Sequence, residues 1–211
     1  MKKIIIIAVI AISLIFMFSC ARPLAKQYYL LNYTYDNLQN RKSETPYGKI
    51  IRLRPFGIEK VYAKPGIVYR ESPYKLNYYN DHLWAVRPVD MISDLIFNHI
   101  ERVNLVKTVV RRLDETVAPD YELSGTILAI EEYDSDELWY AHLKISVVLT
   151  DFNARTTVYS RIFDQTRKVE THNPISVVKT LSEIMDYTAS MLMIDLDNFF
   201  YEQTKNKNDD D

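Results

Sequence analysis

The chain has 211 residues, of which 47% are hydrophobic and 26% are charged, and its formal net charge at pH 7 is −2. A chain of this length and apolar content can bury a sizeable core, whereas its slightly acidic balance argues against a nucleic-acid partner, which needs a basic surface. It contains only four glycines, which excludes a Gly-rich phosphate-binding loop.

The amino terminus has the pattern of a secretory signal peptide. Lys2 and Lys3 precede an apolar run over residues 4–18, which is shorter than the roughly 20 residues that a membrane-spanning helix needs. We therefore predict that residues 1–19 are removed, which changes the formal charge of the remainder to −4. The alternative is an uncleaved anchor in which Cys20 is an incidental thiol.

The signal peptide ends in Met-Phe-Ser-Cys, residues 17–20, which resembles the lipobox of bacterial lipoproteins. The resemblance implies that Cys20, the only cysteine of the chain, carries S-diacylglyceryl and N-acyl groups such as palmitate, with residues 20–26 as a lipidated tether. Two or three acyl chains give a stable membrane anchor. Ala21 follows the cysteine, where aspartate is typical of inner-membrane retention. This favours the inner leaflet of the outer membrane, facing the periplasm.

Residues 27–202 are long enough for one domain, and their first half is rich in strand formers. Ten of the sixteen tyrosines of the chain lie between Tyr28 and Tyr79, as a tyrosine-rich sheet face or a binding surface. Apolar alternation and turn residues predict strands or short extended pieces at 27–33, 49–54, 61–62, 67–71 and 75–79.

The second half alternates between helix and strand patterns. Pro88 opens a helix whose apolar positions include Ile92, Ile96 and His99, and a closing helix starts at Asn173-Pro174 and runs towards Phe199. Strands are predicted at 105–110, 121–132 and 139–150, with 121–167 forming a three-stranded meander and a disordered polar tail at 203–211. These elements predict an α+β fold with a mixed, mostly antiparallel sheet and two helices packed on one face.

Motifs for catalysis or metal binding are not evident in the sequence. The four histidines, His82, His99, His142 and His172, are scattered, and none belongs to a catalytic or metal-binding motif. His99 lies on the apolar side of its helix and is predicted to be a packed core residue. Residues 134–137 are interpreted as a solvated turn rather than a weak calcium site, and the pairs Arg111-Arg112 and Arg52/Arg54 as solvated edges. No cofactor and no enzymatic activity are therefore expected.

Several short motifs, in order, resemble the ABC-type transport auxiliary lipoproteins, sometimes called the PqiC family. Each motif is short, and their order and spacing after a lipobox carry the resemblance. It covers roughly Tyr28 to Asp197 and departs from the family at Val86-Arg87, where an acidic residue often precedes the helix-opening proline. The matching segments are Tyr28–Leu31, Ile50–Pro55, Pro65–Arg70, Leu76–Tyr79, Trp84-Ala85 with Pro88, Asp120–Leu123 and the closing helix.

The resemblance implies a non-enzymatic accessory protein of an MCE-type ABC system for lipid transport. Its expected partners are the membrane, through the lipid anchor, an MCE-domain protein and possible further copies of the chain. Aromatic and arginine side chains dominate binding hot spots, so Tyr69, Arg70, Tyr79 and Trp84 are candidate partner-binding residues. They are equally interpretable as structural, with Trp84 plugging the end of the sheet. The alternatives are an outer-membrane lipoprotein that supports β-barrel assembly and a periplasmic lipid-binding carrier.

Overall fold

A computed structural model describes residues 25–33, 41–112, 118–135 and 138–209 of the chain. The predicted signal peptide, Cys20 and residues 21–24 of the tether lie outside these ranges, as do residues 136–137 of the predicted turn. The described strands are β1 (Gln27–Tyr29), β2 (Tyr47–Leu53), β3 (Gly57–Ile58), β4 (Gly66–Ser72), β5 (Lys75–Trp84), β6 (Val106–Val110), β7 (Tyr121–Ser135), β8 (Leu138–Asp151) and β9 (Thr157–Lys168). The helices are α1 (Pro88–Val103) and α2 (Pro174–Asp209), and residues Lys60–Tyr62 form a single 3₁₀ turn.

The strands form one mixed sheet organised around β7. On one side of β7, β8 pairs antiparallel along its whole length and β9 pairs antiparallel with β8, so the predicted meander is confirmed. On the other side, β2, β3 and β4 pair parallel with successive parts of β7. β5 pairs antiparallel with β4, while β1 runs parallel to β5 and β6 runs parallel to β2. The long pairings are thus antiparallel and the short ones mainly parallel.

Both helices pack on the same face of the sheet, which confirms the predicted α+β arrangement. Alternate residues of β8 point into this interface, as their apolar alternation predicts. His99 is fully buried there, as predicted, and burial lowers its pKa to about 4. The interior is filled by side chains that are at most 1% exposed, among them Ile51, Ile92, Ile96, Leu123, Ile127, Leu143, Ile145, Leu181, Ile184 and Met185.

The helix ends follow their local sequence. Pro88 occupies the first turn of α1, where its missing N–H costs no hydrogen bond, and Asn104 ends the helix in the left-handed conformation with φ 52°. Asn173 caps α2 as predicted, because its Oδ1 accepts a hydrogen bond from the backbone N–H of Ser176 at 2.9 Å.

Several boundaries differ from the predicted ones. β2 starts at Tyr47, and β7 continues through residues 134 and 135, which were predicted to belong to a solvated turn. β1 ends at Tyr29, because the N–H groups of Leu31 and Asn32 contact Met91 and Ser182 of the helices. β5 continues to Trp84, and residues 60–62 form a 3₁₀ turn in place of a short extended piece. Residues 203–209, predicted to be disordered, continue α2. Extending an existing helix through good helix formers such as Gln and Lys is easier than nucleating a new one.

Candidate functional site

The residues predicted to bind a partner are divided between the two faces of the sheet. Successive residues of a strand point to opposite faces, so Tyr69 and Arg70 of β4 face away from each other. In the parallel register, Tyr69 pairs with Glu132 of β7 and faces the helix layer with it. Arg70 faces the opposite side and reaches Glu131. Two clusters of polar and aromatic side chains result, one on each face.

The first cluster, on the helix side, consists of Tyr29, Tyr69, Tyr79 and His82 and is called the tyrosine cluster below. The rings of Tyr69 and Tyr79 lie 4.7 Å apart between centroids, and His82 meets Tyr79 edge-on at 5.2 Å. The hydroxyl of Tyr29 lies 2.8 Å from His82 Nδ1. All four side chains are half-buried, so the cluster combines packed rings with a surface that remains open to contact.

Glu132 lies beneath the tyrosine cluster and is only 1% exposed. Its two carboxyl oxygens accept hydrogen bonds from the Tyr79 hydroxyl at 3.2 and 3.1 Å. Burial, together with the nearby charge of Asp134, raises the pKa of Glu132 to about 7 although the Tyr79 hydrogen bond lowers it. Burial, reinforced by the Glu132 charge, also raises the pKa of the Tyr79 hydroxyl. Glu132 is therefore partly protonated near neutral pH.

The second cluster, called the Glu131 network, lies on the opposite face. Arg70 Nε donates to Glu131 Oε2 at 2.9 Å, and the Tyr62 hydroxyl donates to the same oxygen at 2.7 Å. Arg70 Nη2 also donates to the Tyr62 hydroxyl at 3.1 Å. The 3₁₀ turn is what brings Tyr62 over the sheet, and Glu131 is left 3% exposed.

His142 extends this network across β8 to β9. Its Nδ1 lies 3.1 Å from Glu131 and its Nε2 lies 2.9 Å from Asp164, while Lys144 Nζ lies 2.8 Å from the other oxygen of Asp164. Each ring nitrogen thus faces a carboxylate, and only the doubly protonated imidazolium can donate to both. The hydrogen bond with Glu131, supported by Asp164, raises the pKa of His142 above its usual value.

The acids of the Glu131 network are stabilised in their charged form. Burial alone would raise the pKa of Glu131, but hydrogen bonds from His142 and Tyr62 and the charge of Arg70 outweigh it and lower the pKa. The pKa of Asp164 is lowered mainly by its hydrogen bond with Lys144. Burial and the hydrogen bond to Glu131 raise the pKa of Tyr62 to about 12. These groups satisfy one another, as buried charges must.

Trp84, the fourth candidate residue, lies in the core at the end of β5. It is 5% exposed, and its backbone N–H donates to the carbonyl of Pro65 at 2.8 Å. This position fits a plug at the end of the sheet, and it removes the indole from any surface that a partner can contact.

Metal-binding geometry is not found within the described ranges. No group of three or more His, Cys, Asp or Glu side chains in these ranges is placed to hold an ion. Across the same residues, neither helix has the length and apolar character that crossing a membrane requires.

Several residues of both clusters were not singled out by the sequence. Glu131 and Glu132 interrupt the apolar stretch of β7, and two consecutive acids in a buried strand are the signal that points to them. His142 belongs to the polar face of a strongly alternating strand and is indistinguishable there from a solvated residue. Tyr62 and Asp164 carry no local signal, because only tertiary pairing brings them to Glu131.

Comparison with known proteins gives both a family and a fold. A family model described as ABC-type transport auxiliary lipoprotein component matches residues 29–192. Protein XCC0632 from Xanthomonas campestris has a similar crystal structure, with a TM-score of 0.72 and 16% identity over 85% of this chain and 99% of that one. An uncharacterised protein of known structure is similar with a TM-score of 0.62 and 15% identity, over 82% of this chain and 99% of that one. No curated protein matches the chain significantly.

Proposed function

Because the chain belongs to the ABC-type transport auxiliary lipoprotein components, we propose that it is a non-enzymatic accessory of an MCE-type ABC system for lipid transport. Family membership implies a location in the cell envelope and partners in an ABC transport system. The proposal adds a lipid anchor on Cys20, a place on the inner leaflet of the outer membrane, and an MCE-domain protein as partner. The observation that carries it is the family match, which starts nine residues after Cys20 and covers most of the folded domain.

The contacts of the Glu131 network support a binding role for the protein rather than a catalytic one. Glu131, His142 and Asp164 are the groups best placed for proton transfer, yet they bond to one another and to Arg70, Tyr62 and Lys144. Such an arrangement stabilises the sheet and ties the 3₁₀ turn to it. A lipid carrier would need a large apolar cavity between sheet and helices. The described side chains at the centre of that interface, such as Leu143, Ile145 and Leu181, are at most 1% exposed and pack against one another.

We place the partner-binding surface on the tyrosine cluster. Tyr69 and Tyr79 present half-buried rings next to the edge strand β1, and tyrosine is favoured in binding hot spots because it adds apolar area and a hydroxyl together. Arg70 is committed to Glu131 and Trp84 is buried, so neither is included in this surface. Possible further copies of the chain are a second type of partner.

Co-purification tests the proposal. The full chain, tagged at its carboxyl terminus, is extracted from the envelope in mild detergent, and the proteins that accompany it are identified by mass spectrometry. We expect an MCE-domain protein and a transporter subunit. The variant Tyr69→Ala should recover about tenfold less of the partner, as expected for loss of one hot-spot side chain.

Tyr201→Ala is the matched control, since Tyr201 is an exposed tyrosine near the far end of α2, and it should recover the partner normally. Recovery of a β-barrel assembly protein instead would favour the barrel-supporting alternative. Recovery of neither transporter subunit nor MCE-domain protein would contradict the proposal.

A further inference from the structure

Three of the exposed apolar side chains lie at one end of the molecule. Tyr74 is 99% exposed at the tip of the β4–β5 turn, Ile175 is 66% exposed in the first turn of α2, and Leu138 is 39% exposed at the start of β8. Trp139, next to Leu138, is half-buried. Exposed apolar groups in such proximity mark an interaction surface more often than scattered single residues do.

The topology brings these four residues together. β4 and β7 are parallel, with Arg70 beside Tyr133, so the carboxyl ends of both strands lie at the same end of the sheet. This end of the sheet also carries the β4–β5 turn, which contains Tyr74, and the paired residues Ser135 and Leu138. β9 returns to this end of the sheet. In the segment between β9 and α2, the His172 ring stacks on Trp139 at 4.4 Å between centroids. The end that carries Tyr74, Leu138, Trp139 and Ile175 is called the anchor end below.

The direction of β1 relates the amino terminus of the described domain to the anchor end. β1 runs parallel to β5 with Gln27 beside His82, and β5 starts at the anchor end with Lys75. β1 therefore runs away from the anchor end, and its first residue, Gln27, is the one nearest to it. Cys20 precedes Gln27 by seven residues, which span at most about 25 Å. Lys75 precedes His82 by the same number of residues, so the tether is long enough for Cys20 to come level with the anchor end.

The residue types fit a membrane surface. Tyr and Trp rings favour the headgroup level of a bilayer, and Leu and Ile side chains favour the acyl region below it. The charged residues nearby are mainly acidic. Lys75 is paired to Glu71 and Lys168 is close to Glu170 in sequence, while Asp134, Asp136 and Glu137 directly precede Leu138 in the sequence. Apolar contact, rather than attraction to anionic lipid, is thus what this surface offers.

We infer that the anchor end lies against the bilayer that holds the acyl groups of Cys20, with Trp139 and Tyr74 at headgroup level. This inference rests on the Cys20 anchor of the proposed function and is independent of the transporter partner. A lipoprotein held in this way is oriented by its own surface as well as tethered by its lipid.

Tryptophan fluorescence tests the orientation, because the chain has only two tryptophans, Trp84 in the core and Trp139 at the anchor end. The full lipidated chain is reconstituted in vesicles of phosphatidylethanolamine and phosphatidylglycerol with and without bromine on the acyl carbons nearest the headgroup. Bromine quenches a tryptophan that it contacts. We expect brominated lipid to reduce the emission of the parent and to leave the emission of the Trp139→Phe variant unchanged.

Two triple variants sharpen the test. Serine at Tyr74, Leu138 and Ile175 together should abolish the quenching of Trp139 while the chain still floats with the vesicles. Serine in place of three similarly exposed residues elsewhere, Val61, Ile162 and Ile194, should leave the quenching intact. A floating parent with unquenched Trp139, as expected if the anchor end contacts a protein, would overturn the inference alone. A parent that does not float would overturn the Cys20 anchor and the inference together.

Discussion

Glu131 and Glu132 are adjacent in β7, yet their surroundings drive their pKa values in opposite directions. Glu131 has an arginine, a histidine and a tyrosine as hydrogen-bond partners and is held charged. Among the described residues, only the Tyr79 hydroxyl donates a side-chain hydrogen bond to Glu132, and burial raises the pKa of Glu132 to about 7. The difference follows from strand alternation, which directs one acid to a basic surrounding and the other to an aromatic one.

Replacing Glu132 by Gln should stabilise the domain at alkaline pH. A carboxyl whose pKa is raised in the folded state contributes stability below its unfolded pKa, and this contribution is lost as the pH rises to about 7. Glu132→Gln keeps an acceptor for Tyr79 without the charge. We expect its free energy of unfolding at pH 8 to exceed that of the parent by about 1–3 kcal/mol, with little difference at pH 4. Urea unfolding at both pH values measures this.

Glu59→Gln serves as the control for this pH dependence. Glu59 is exposed, so its replacement should leave the free energy of unfolding within about 0.5 kcal/mol of the parent at both pH values. Equal stability of Glu132→Gln and the parent at pH 8 would contradict the raised pKa of Glu132.

Replacing Arg70 by Met should destabilise the fold, because the Glu131 carboxylate would remain buried with one charge partner fewer. The Arg70 side chain is 22% exposed and that of Glu131 is 4% exposed. For a pair at this depth we expect a loss of about 1–3 kcal/mol in the free energy of unfolding at pH 7. Lys144→Met, at the more exposed end of the same network, should cost less than about 1 kcal/mol. An equal cost for both variants would contradict the central position of Glu131.

The candidate site was only partly predictable from the sequence. Tyr69 and Tyr79 were selected as aromatic residues of short strands, and they do lie together. The sequence also predicts Arg70 as a binding residue, but it faces the other side of the sheet, as strand alternation requires of the residue next to Tyr69. Glu132 and His82 complete the tyrosine cluster through strand register, which a single sequence does not contain.

At the scale of elements, local sequence patterns predict individual strands and helices well, but they do not predict which strands pair. The apolar alternation of 139–150 matches β8, and the start of α2 at Asn173-Pro174 follows from its cap. The parallel pairings of β2, β3 and β4 with β7 were not predicted, because they join segments more than 60 residues apart in sequence. Such contacts depend on the whole core rather than on any local window.

Gly125 fixes the close packing of the β7–β8 pair beneath Phe56. A Cβ at this position would lie 2.5 Å from the Phe56 ring and 2.6 Å from the Ser146 carbonyl oxygen. The backbone oxygen cannot move without breaking the strand pairing. We therefore expect Gly125→Ala to lower the free energy of unfolding by about 2–3 kcal/mol, as measured by urea titration.

Gly48→Ala is the matched control within β2. No atom lies within 4 Å of a Cβ at Gly48, and its φ is not positive. Its replacement should change the free energy of unfolding by less than about 1 kcal/mol, with a gain favoured by the reduced freedom of the unfolded chain. If Gly125→Ala is as stable as Gly48→Ala, Phe56 and the β7–β8 pair can shift to accommodate a Cβ, which would contradict the prediction.

At the scale of the whole molecule, the lipid anchor decides where the domain is found. Cys20→Ala removes the thiol that the lipobox resemblance assigns to acylation. We expect this variant to lose palmitate labelling and to appear in the soluble periplasm, or to remain uncleaved at the inner membrane. Fractionation and metabolic labelling of the full chain measure both. A variant that labels and fractionates like the parent would contradict the role of Cys20.

The length of α2 has a consequence for where a partner meets this protein. Its 36 residues correspond to about 54 Å of helix, and it starts at the anchor end and runs without interruption to Asp209. A continuous helix resists bending, so it serves as a fixed spacer between its two ends. Each helical turn that is removed would bring the far end of α2 about 5.4 Å closer to the lipid.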